Sequence, residues 1–283
     1  MPDLSGVGTP ITFADENPVS REMDALRKRY GGERREPKDD KEREVLARWL
    51  AYRGRDELEC IVGSACYAFT HFASELDSEW RLTLADHIRT EAGHGWGYIQ
   101  QANALDPSYD HAAPDPEFAE EHGLTPRTEH LALQQRDFLS FLIAGNLWPY
   151  GFVTAATIQN IKVTTPKVVD FETRVVEAEE RGHHDAALQK LHDYVWSLIE
   201  KYGQEYVQKR IGEIDAQSLN SRSRTIFDPP RREFLRKHFN VPFENATLFV
   251  PYRKYLYENV LGWTPEPVTI ANWPQEVPAP KAA

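Results

Sequence analysis

Hydrophobic residues recur along most of the chain at steps of three and four, which is the spacing of one face of an α-helix. The run from Val45 through Trp49, Leu50, Ile61 and Phe69 is typical. No stretch alternates apolar and polar residues long enough to predict a sheet, and no internal repeat is visible. The predicted helices cover residues 41–75, 78–103, 128–163 and 166–203, with more helix to residue 220. Four long helices with short or medium connections predict an all-α helical bundle.

Capping and helix-breaking residues set the borders of these helices. Ser78 is suited to be the N-cap of the second helix, and four prolines within residues 106–127 predict a loop. Pro149 and Gly151 are expected to disturb the third helix. Pro166 fits the first turn of the fourth, where its missing N–H does no harm.

The two ends of the chain differ in composition from this bundle. Residues 1–40 are polar, contain scattered Pro and Gly, and predict an arm that lies on the body or on a partner. Residues 221–283 are rich in Pro and aromatic side chains and predict short helices and extended segments that wrap the bundle. We therefore expect an N-terminal arm over 1–40, a helical bundle over 41–220 and an irregular extension over 221–283.

Charge and hydropathy exclude some classes of function. The 283 residues include 44 acidic and 33 basic side chains, for a net charge of −11, which argues against binding to nucleic acid or to an anionic membrane. No apolar run approaches the roughly 18–20 residues that span a bilayer.

The cysteines and the N-terminal residues indicate the cellular compartment of the protein. Cys60 and Cys66 lie six residues apart in one predicted helix, so their α-carbons would be about 9 Å apart, too far for a disulfide. We interpret both as reduced thiols in the core. Residues 1–16 show neither a cationic start nor an apolar segment, so no signal peptide is predicted. These features predict a cytoplasmic protein.

Two Glu-x-x-His units carry the candidate chemistry: Glu91-Ala-Gly-His94 in the second predicted helix and Glu180-Arg-Gly-His183 in the fourth. Residues three apart share a helix face. Both units share that face with apolar residues, so both are predicted to be buried. Burial of a carboxylate and an imidazole is costly unless they pair or bind a metal. Each unit alone could also be a Glu-His pair that only stabilises the core or lies at the surface, and His184 could replace His183.

The first predicted helix offers a matching carboxylate. Glu59 lies 32 residues before Glu91 and shares a face with Val62 and Cys66, whereas Glu57 lies 34 residues before Glu91 and nearer the edge. We favour Glu59. Glu-x-x-His on two helices, with carboxylates on two others, is the arrangement of dimetal sites in helical bundles.

These motifs resemble those of a known family. The run Thr-Glu-Ala-Gly-His-Gly-Trp-Gly-Tyr over residues 90–98 looks like the Glu-Gly-Gly-His-Gly helix of the catalytic subunits of phenylacetyl-CoA epoxidases, which are ferritin-like di-iron oxygenases. Residues 179–183, Glu-Glu-Arg-Gly-His, are similar to that family's Glu-Glu-x-x-His helix. Its third helix is similar to residues 154–160, and its tail is similar to residues 235–239 and 255–265. The resemblance covers roughly residues 55–265.

The resemblance implies a ferritin-like bundle with a carboxylate-bridged di-iron centre. The implied ligands are Glu59, Glu91, His94, Glu180 and His183. It further implies activation of O2 to oxidise a small organic or acyl-thioester substrate, electrons from a separate reductase, and assembly into a homo- or hetero-oligomer. Hard carboxylates with imidazoles suit Fe and also Mn.

One departure from the family concerns its third-helix carboxylate. The matching position falls at Val153 or Thr154, and counting back from Glu180 gives Asn146 or Gly151. The nearest acid in that helix, Asp137, lies a turn or more away. The sixth ligand is therefore missing, displaced or replaced by Asn146, and an incomplete site would suit a non-catalytic partner subunit. A ferroxidase- or manganese-catalase-type protein is a further alternative.

Overall fold

The computed structural model describes residues 34–124, 128–145, 161–241, 243 and 249–270, and the side chains of these except 177, 181–187, 249, 251 and 252. This part of the chain is mostly helical, which confirms the all-α prediction. Its one β-type pairing is an isolated parallel bridge between Arg35 and Val163. None of its helices is both long and apolar enough to cross a membrane. The helices are α1 (Asp40–Asp56), α2 (Gly63–His71), α3 (Ser78–Leu105), α4 (Pro116–Glu121), α5 (Thr128–Gln134), α6 (Phe138–Ala144), α7 (Pro166–Phe171), α8 (Glu177–Tyr202), α9 (Gln204–Ile226), α10 (Pro229–Phe239) and α11 (Phe249–Leu256).

The first predicted helix is present but changes its winding. Asp39 caps α1 by accepting a hydrogen bond from the Glu42 amide at 2.9 Å. A π-helical segment, Glu57–Val62, then joins α1 to α2. A π turn holds more residues than an α turn, so it rotates the face that the following residues present to the core. Glu57, the first residue of this segment, continues the buried stripe of Leu50 and Arg53 on α1.

Two close contacts bind α1 to α3. A Cβ atom at Gly54 would lie 2.5 Å from the carbonyl oxygen of Gly95, and one at Gly95 would lie 2.6 Å from Leu58 Cγ. Glycine at both positions is therefore what lets the two backbones approach this closely. The N-cap of α3 is Asp77, which accepts a hydrogen bond from the Trp80 amide at 2.7 Å, and not Ser78 as the sequence suggested.

The third predicted helix, 128–163, is not continuous. It contains α5 and α6, and residues 161–165 are not helical. Asp137 starts α6 afresh by accepting a hydrogen bond from the Ser140 amide at 2.7 Å. A strong N-cap here favours a new helix over continuation of the old one.

The fourth predicted helix is confirmed. Thr165 caps α7, Pro166 lies in its first turn, and a π segment, Glu172–Val176, connects it to α8. Gly203, with φ of +88°, separates α8 from α9. The helix α9 runs to Ile226, beyond the predicted limit at residue 220.

The C-terminal residues pack on this body through a buried polar contact. The carboxylate of Asp215 in α9 accepts hydrogen bonds from Arg253 Nε at 2.6 Å and from the Tyr257 hydroxyl at 2.9 Å. Arg253 also donates to the carbonyl of Glu266 at 2.7 Å. All three side chains of this triad are buried, so it anchors the extension to the bundle.

Candidate metal centre

Helices α3 and α8 bring three potential metal ligands together. One ligand atom from each of Glu91, His94 and Glu180 lies within 4.8 Å of the other two. Glu91 and His94 lie one turn apart on α3 and are fully buried, while the Glu180 side chain is about 30% exposed. The group is thus closed on the α3 side, and Glu180 is its partly exposed member.

The two ring nitrogens of His94 have different neighbours. Nδ1 lies 3.3 Å from Glu91 Oε2 and 3.9 Å from Glu180 Oε1. Nε2 makes a 2.8 Å hydrogen bond with the carboxylate of Glu179. Glu179 accepts the hydrogen bond of an Nε2 proton. When Nδ1 is also protonated it donates to Glu91, and when it is not, its lone pair would be open to a metal. A carboxylate behind the histidine is the usual partner of a metal-binding imidazole.

Nearby acids raise the pKa values of both Glu180 and His94. Burial raises the pKa of Glu180, and the charges of Glu91 and Glu57 raise it further. Burial by itself would lower the pKa of His94, but its hydrogen bond with Glu91 and the nearby acids raise it overall. The cluster therefore stabilises positive charge, as a cation site must.

Glu57 is the first-helix carboxylate whose charge acts on this group. It is buried, and its charge acts on both His94 and Glu180. Arg53, one turn earlier on α1, donates from Nη2 to Glu57 Oε1 at 2.9 Å.

The expectation that Glu59 faces the core is wrong, because Glu59 is exposed. Cys66, assigned to the same face, is exposed as well, although both cysteines are free thiols as expected. The sequence grouped Glu59 with Val62 and Cys66 at regular α-helical spacing, but the buried stripe of α1 runs through Leu50 and Arg53 to Glu57.

Sequence reasoning missed two buried polar residues beside the cluster. His87 lies one turn before Glu91, with Nδ1 at 3.4 Å from Glu91 Oε1, and the i, i+4 spacing could have revealed it. Glu172 is buried at the start of its π segment. Burial and the charge of Glu172 raise the pKa of the Tyr98 phenol, one turn beyond His94.

Other sequence-derived candidates fall elsewhere. The part that the structure describes does not include the side chains of His183 and His184. It also does not include residues 146–160, which contain the candidates Asn146, Gly151, Val153 and Thr154. Asp137 is described and is committed to other partners: besides capping α6, it accepts a hydrogen bond from Arg210 at 2.7 Å. It is therefore not available as the third-helix ligand.

The donor set suits a hard or borderline divalent metal. Carboxylate oxygens with one imidazole nitrogen, and no thiolate, match the preferences of Fe²⁺ and Mn²⁺. The described residues of this group therefore fit the metal that the motifs imply.

Comparison with known proteins adds no relative. No model of a protein family matches the chain, and neither does any curated protein or solved structure. The functional assignment accordingly rests on the motifs and on the geometry of this cluster.

Proposed function

We propose that the chain is a ferritin-like, non-haem dimetal oxygenase or oxidase that uses O2 to oxidise a small organic or acyl-thioester substrate. The observation that supports this most directly is the convergence of Glu91, His94 and Glu180 within 4.8 Å. Two helices that each supply a Glu-x-x-His unit, with a further glutamate from α1, are typical of dimetal sites in such bundles. In this proposal Glu57 takes the role that the sequence suggested for Glu59, and His183 completes the second unit.

When bound, a pair of Fe or Mn ions would supply the activation of O2. The residues of the chain do the rest. Glu91 and Glu180 would hold the metals through oxygen and His94 through Nδ1, and Glu179 keeps the His94 ring in the required orientation by its 2.8 Å hydrogen bond. Complete burial of Glu91 excludes water from the α3 side, so substrate and O2 would approach from the side of Glu180.

The proposal includes partners that supply electrons and substrate. A separate reductase would deliver the electrons, as the resemblance of residues 55–265 implies. Assembly as a homo- or hetero-oligomer and a cytoplasmic location remain part of this proposal.

Metal content tests the proposal. Protein reconstituted without oxygen with Fe²⁺ and desalted should hold about two irons per chain, and Glu91→Gln should hold far less while its helical circular dichroism is unchanged. Glu200→Gln, an exposed site on the same helix as Glu180, is the matched control. Substoichiometric iron in the wild type would overturn the proposal.

A partner subunit with an impaired site is the second candidate. It is favoured by the Arg53–Glu57 hydrogen bond, which commits one carboxylate oxygen to a guanidinium. Exposure of the reduced, iron-loaded protein to O2 separates the two: the enzyme consumes O2 in proportion to its iron, and the subunit binds iron without consuming O2. Rapid disproportionation of peroxide by the manganese form would indicate a catalase-type protein instead.

A further inference from the structure

A permanent positive charge is buried beside the carboxylate cluster. Arg53 is only 8% exposed, and its Nη2 lies 2.9 Å from Glu57 Oε1. Its guanidinium carbon lies over the Tyr98 ring, 5.4 Å from the ring centre. Arginine keeps its charge at any pH at which proteins fold, so this site holds a cation even without metal.

The position of Arg53 lets its charge act on the whole group. Glu57 links it to the cluster, since the Glu57 carboxylate interacts electrostatically with both His94 and Glu180. Among the described charged groups acting on Glu180, Arg53 opposes the acids Glu91 and Glu57. Burial of several carboxylates together is unfavourable without such a counter-charge.

We propose that Arg53 is a built-in counter-cation that keeps the carboxylate cluster assembled in the metal-free protein and, by the same charge, weakens its affinity for divalent cations. This inference rests on the proposed metal site but goes beyond it, because it assigns the chain its own substitute for metal charge. The protein would then fold before it is loaded and bind its metal reversibly.

A thermodynamic cycle gives the sign of the effect. Removal of the arginine charge takes away the cation that lies 2.9 Å from the buried Glu57 carboxylate and destabilises the metal-free protein. A bound divalent ion compensates the same carboxylates, so the metal-bound protein loses less stability. Any substitution that destabilises the metal-free state more than the metal-bound state must strengthen metal binding by the difference. A residue that merely positioned Glu57 would have the opposite effect, because its loss would weaken binding.

The test compares Arg53→Met with Arg53→Lys in the full-length chain, with Mn²⁺ as the probe. Isothermal titration gives the Kd for Mn²⁺, and thermal melts with and without Mn²⁺ give the stability. For Arg53→Met we expect a lower Tm without metal, a Kd that is smaller by about tenfold or more, and recovery of most of the lost Tm on addition of Mn²⁺. Arg53→Lys keeps the charge and should bind Mn²⁺ almost as the wild type does.

Arg253→Met is the matched control, since Arg253 is another buried arginine bonded to a buried carboxylate, that of Asp215. It should lower the Tm without changing the Kd, and Mn²⁺ should not restore the loss. If Arg53→Met is unfolded without metal, refolding with Mn²⁺ should restore its helical circular dichroism, and failure to do so contradicts the inference.

The outcomes distinguish the two proposals. Equal or weaker Mn²⁺ binding by folded Arg53→Met overturns the role of Arg53 and leaves the metal site standing. Absence of Mn²⁺ and Fe²⁺ binding by the wild type overturns both.

Discussion

His94 and Glu179 are joined by a 2.8 Å hydrogen bond between imidazole Nε2 and a carboxylate oxygen, although they lie on different helices and 85 residues apart. This contact joins α3 to α8 at the level of the candidate site. It orients the ring so that Nδ1 faces the two glutamates that would share a metal with it.

Glu179→Ala should weaken Mn²⁺ binding by about 10- to 100-fold, because the His94 ring loses the acceptor that fixes its orientation and tautomer. The Mn²⁺ affinity of Glu179→Gln, whose amide oxygen still accepts the N–H, should lie between those of Glu179→Ala and the wild type. The Glu179 side chain is 36% exposed, so both proteins should fold normally by circular dichroism. Titration calorimetry measures the effect, with Glu200→Ala as the control; a Kd for Glu179→Ala equal to the wild-type value would show that the contact has no part in metal binding.

Glu57→Gln and Glu59→Gln separate the buried from the exposed glutamate of the first helix. Glu57 is 4% exposed and interacts with His94, so its neutralisation should reduce the metal content and raise the Kd. Glu59 is exposed, and its substitution should change neither. Metal analysis of the two purified proteins decides the point, and loss of metal from the Glu59 variant would refute the assignment of this role to Glu57.

Gly95→Ala should destabilise the protein by about 1–3 kcal/mol, because the new methyl group overlaps Leu58 and the Gly54 carbonyl. Gly93→Ala provides a control on the same helix. A Cβ atom at Gly93 meets nothing within 4 Å, so alanine there should stabilise the helix by up to about 1 kcal/mol. Urea denaturation of both variants gives the free energies of unfolding, and equal values for the two would contradict the close approach of α1 and α3.

Asp115→Asn should lower stability in a pH-dependent way. Burial raises the pKa of Asp115, but its hydrogen bonds with Arg48, at 2.8 and 3.1 Å, and with the Phe118 amide lower it overall. A carboxyl whose pKa is lower in the folded state stabilises the protein above its unfolded pKa, and the contribution is lost as pH falls through the folded value.

The deficit of Asp115→Asn should therefore be largest near neutral pH, at about 1–2 kcal/mol, and should shrink below about pH 4. Chemical denaturation at a series of pH values measures it. The exposed Asp86–Arg89 pair is the comparison, since Asp86→Asn should cost about 0–0.5 kcal/mol. A deficit that grows on acidification would mean that the sign is wrong.

Asp215→Ala should destabilise the protein by about 3–5 kcal/mol, because it leaves the buried Arg253 charge without its carboxylate. The Tyr257 hydroxyl loses its acceptor as well. Limited proteolysis should then cleave the C-terminal extension first, whereas Tyr257→Phe should keep most of the stability. Simultaneous cleavage of the extension and of the bundle would show that the triad does not stabilise the extension locally.

The sequence predicted correctly those helices in which the apolar periodicity ends where a helix-breaking residue occurs. The second and fourth helices have long apolar stripes and clear breaks, at a Pro-rich loop and at Gly203, and both form as expected. The meeting of Glu91, His94 and Glu180 could likewise be anticipated, since each Glu-x-x-His unit shares its face with apolar neighbours.

Local features that override periodicity explain what was missed. The cap at Asp137 divides the third predicted helix even though its apolar pattern continues across the break. The winding of the first helix changes at the π segment Glu57–Val62, which no side-chain pattern in those residues predicts. Contacts such as His94 with Glu179 depend on how two helices meet, which spacing along either helix does not determine.

The π segment Glu57–Val62 also acts as a one-residue insertion that the helix absorbs without a loop. Deletion of one residue between 58 and 62 would restore ordinary winding and leave α2 facing the core as it does now, because about five α-helical residues turn through the same angle as the π segment. Ala65 and Ala68 should then stay in the core and Cys66 outside it. An alignment of this chain with other helical proteins therefore needs a gap inside this helix. Counted back along the chain from Glu91, the first-helix carboxylate lies one residue further away than it would in an unbroken α-helix.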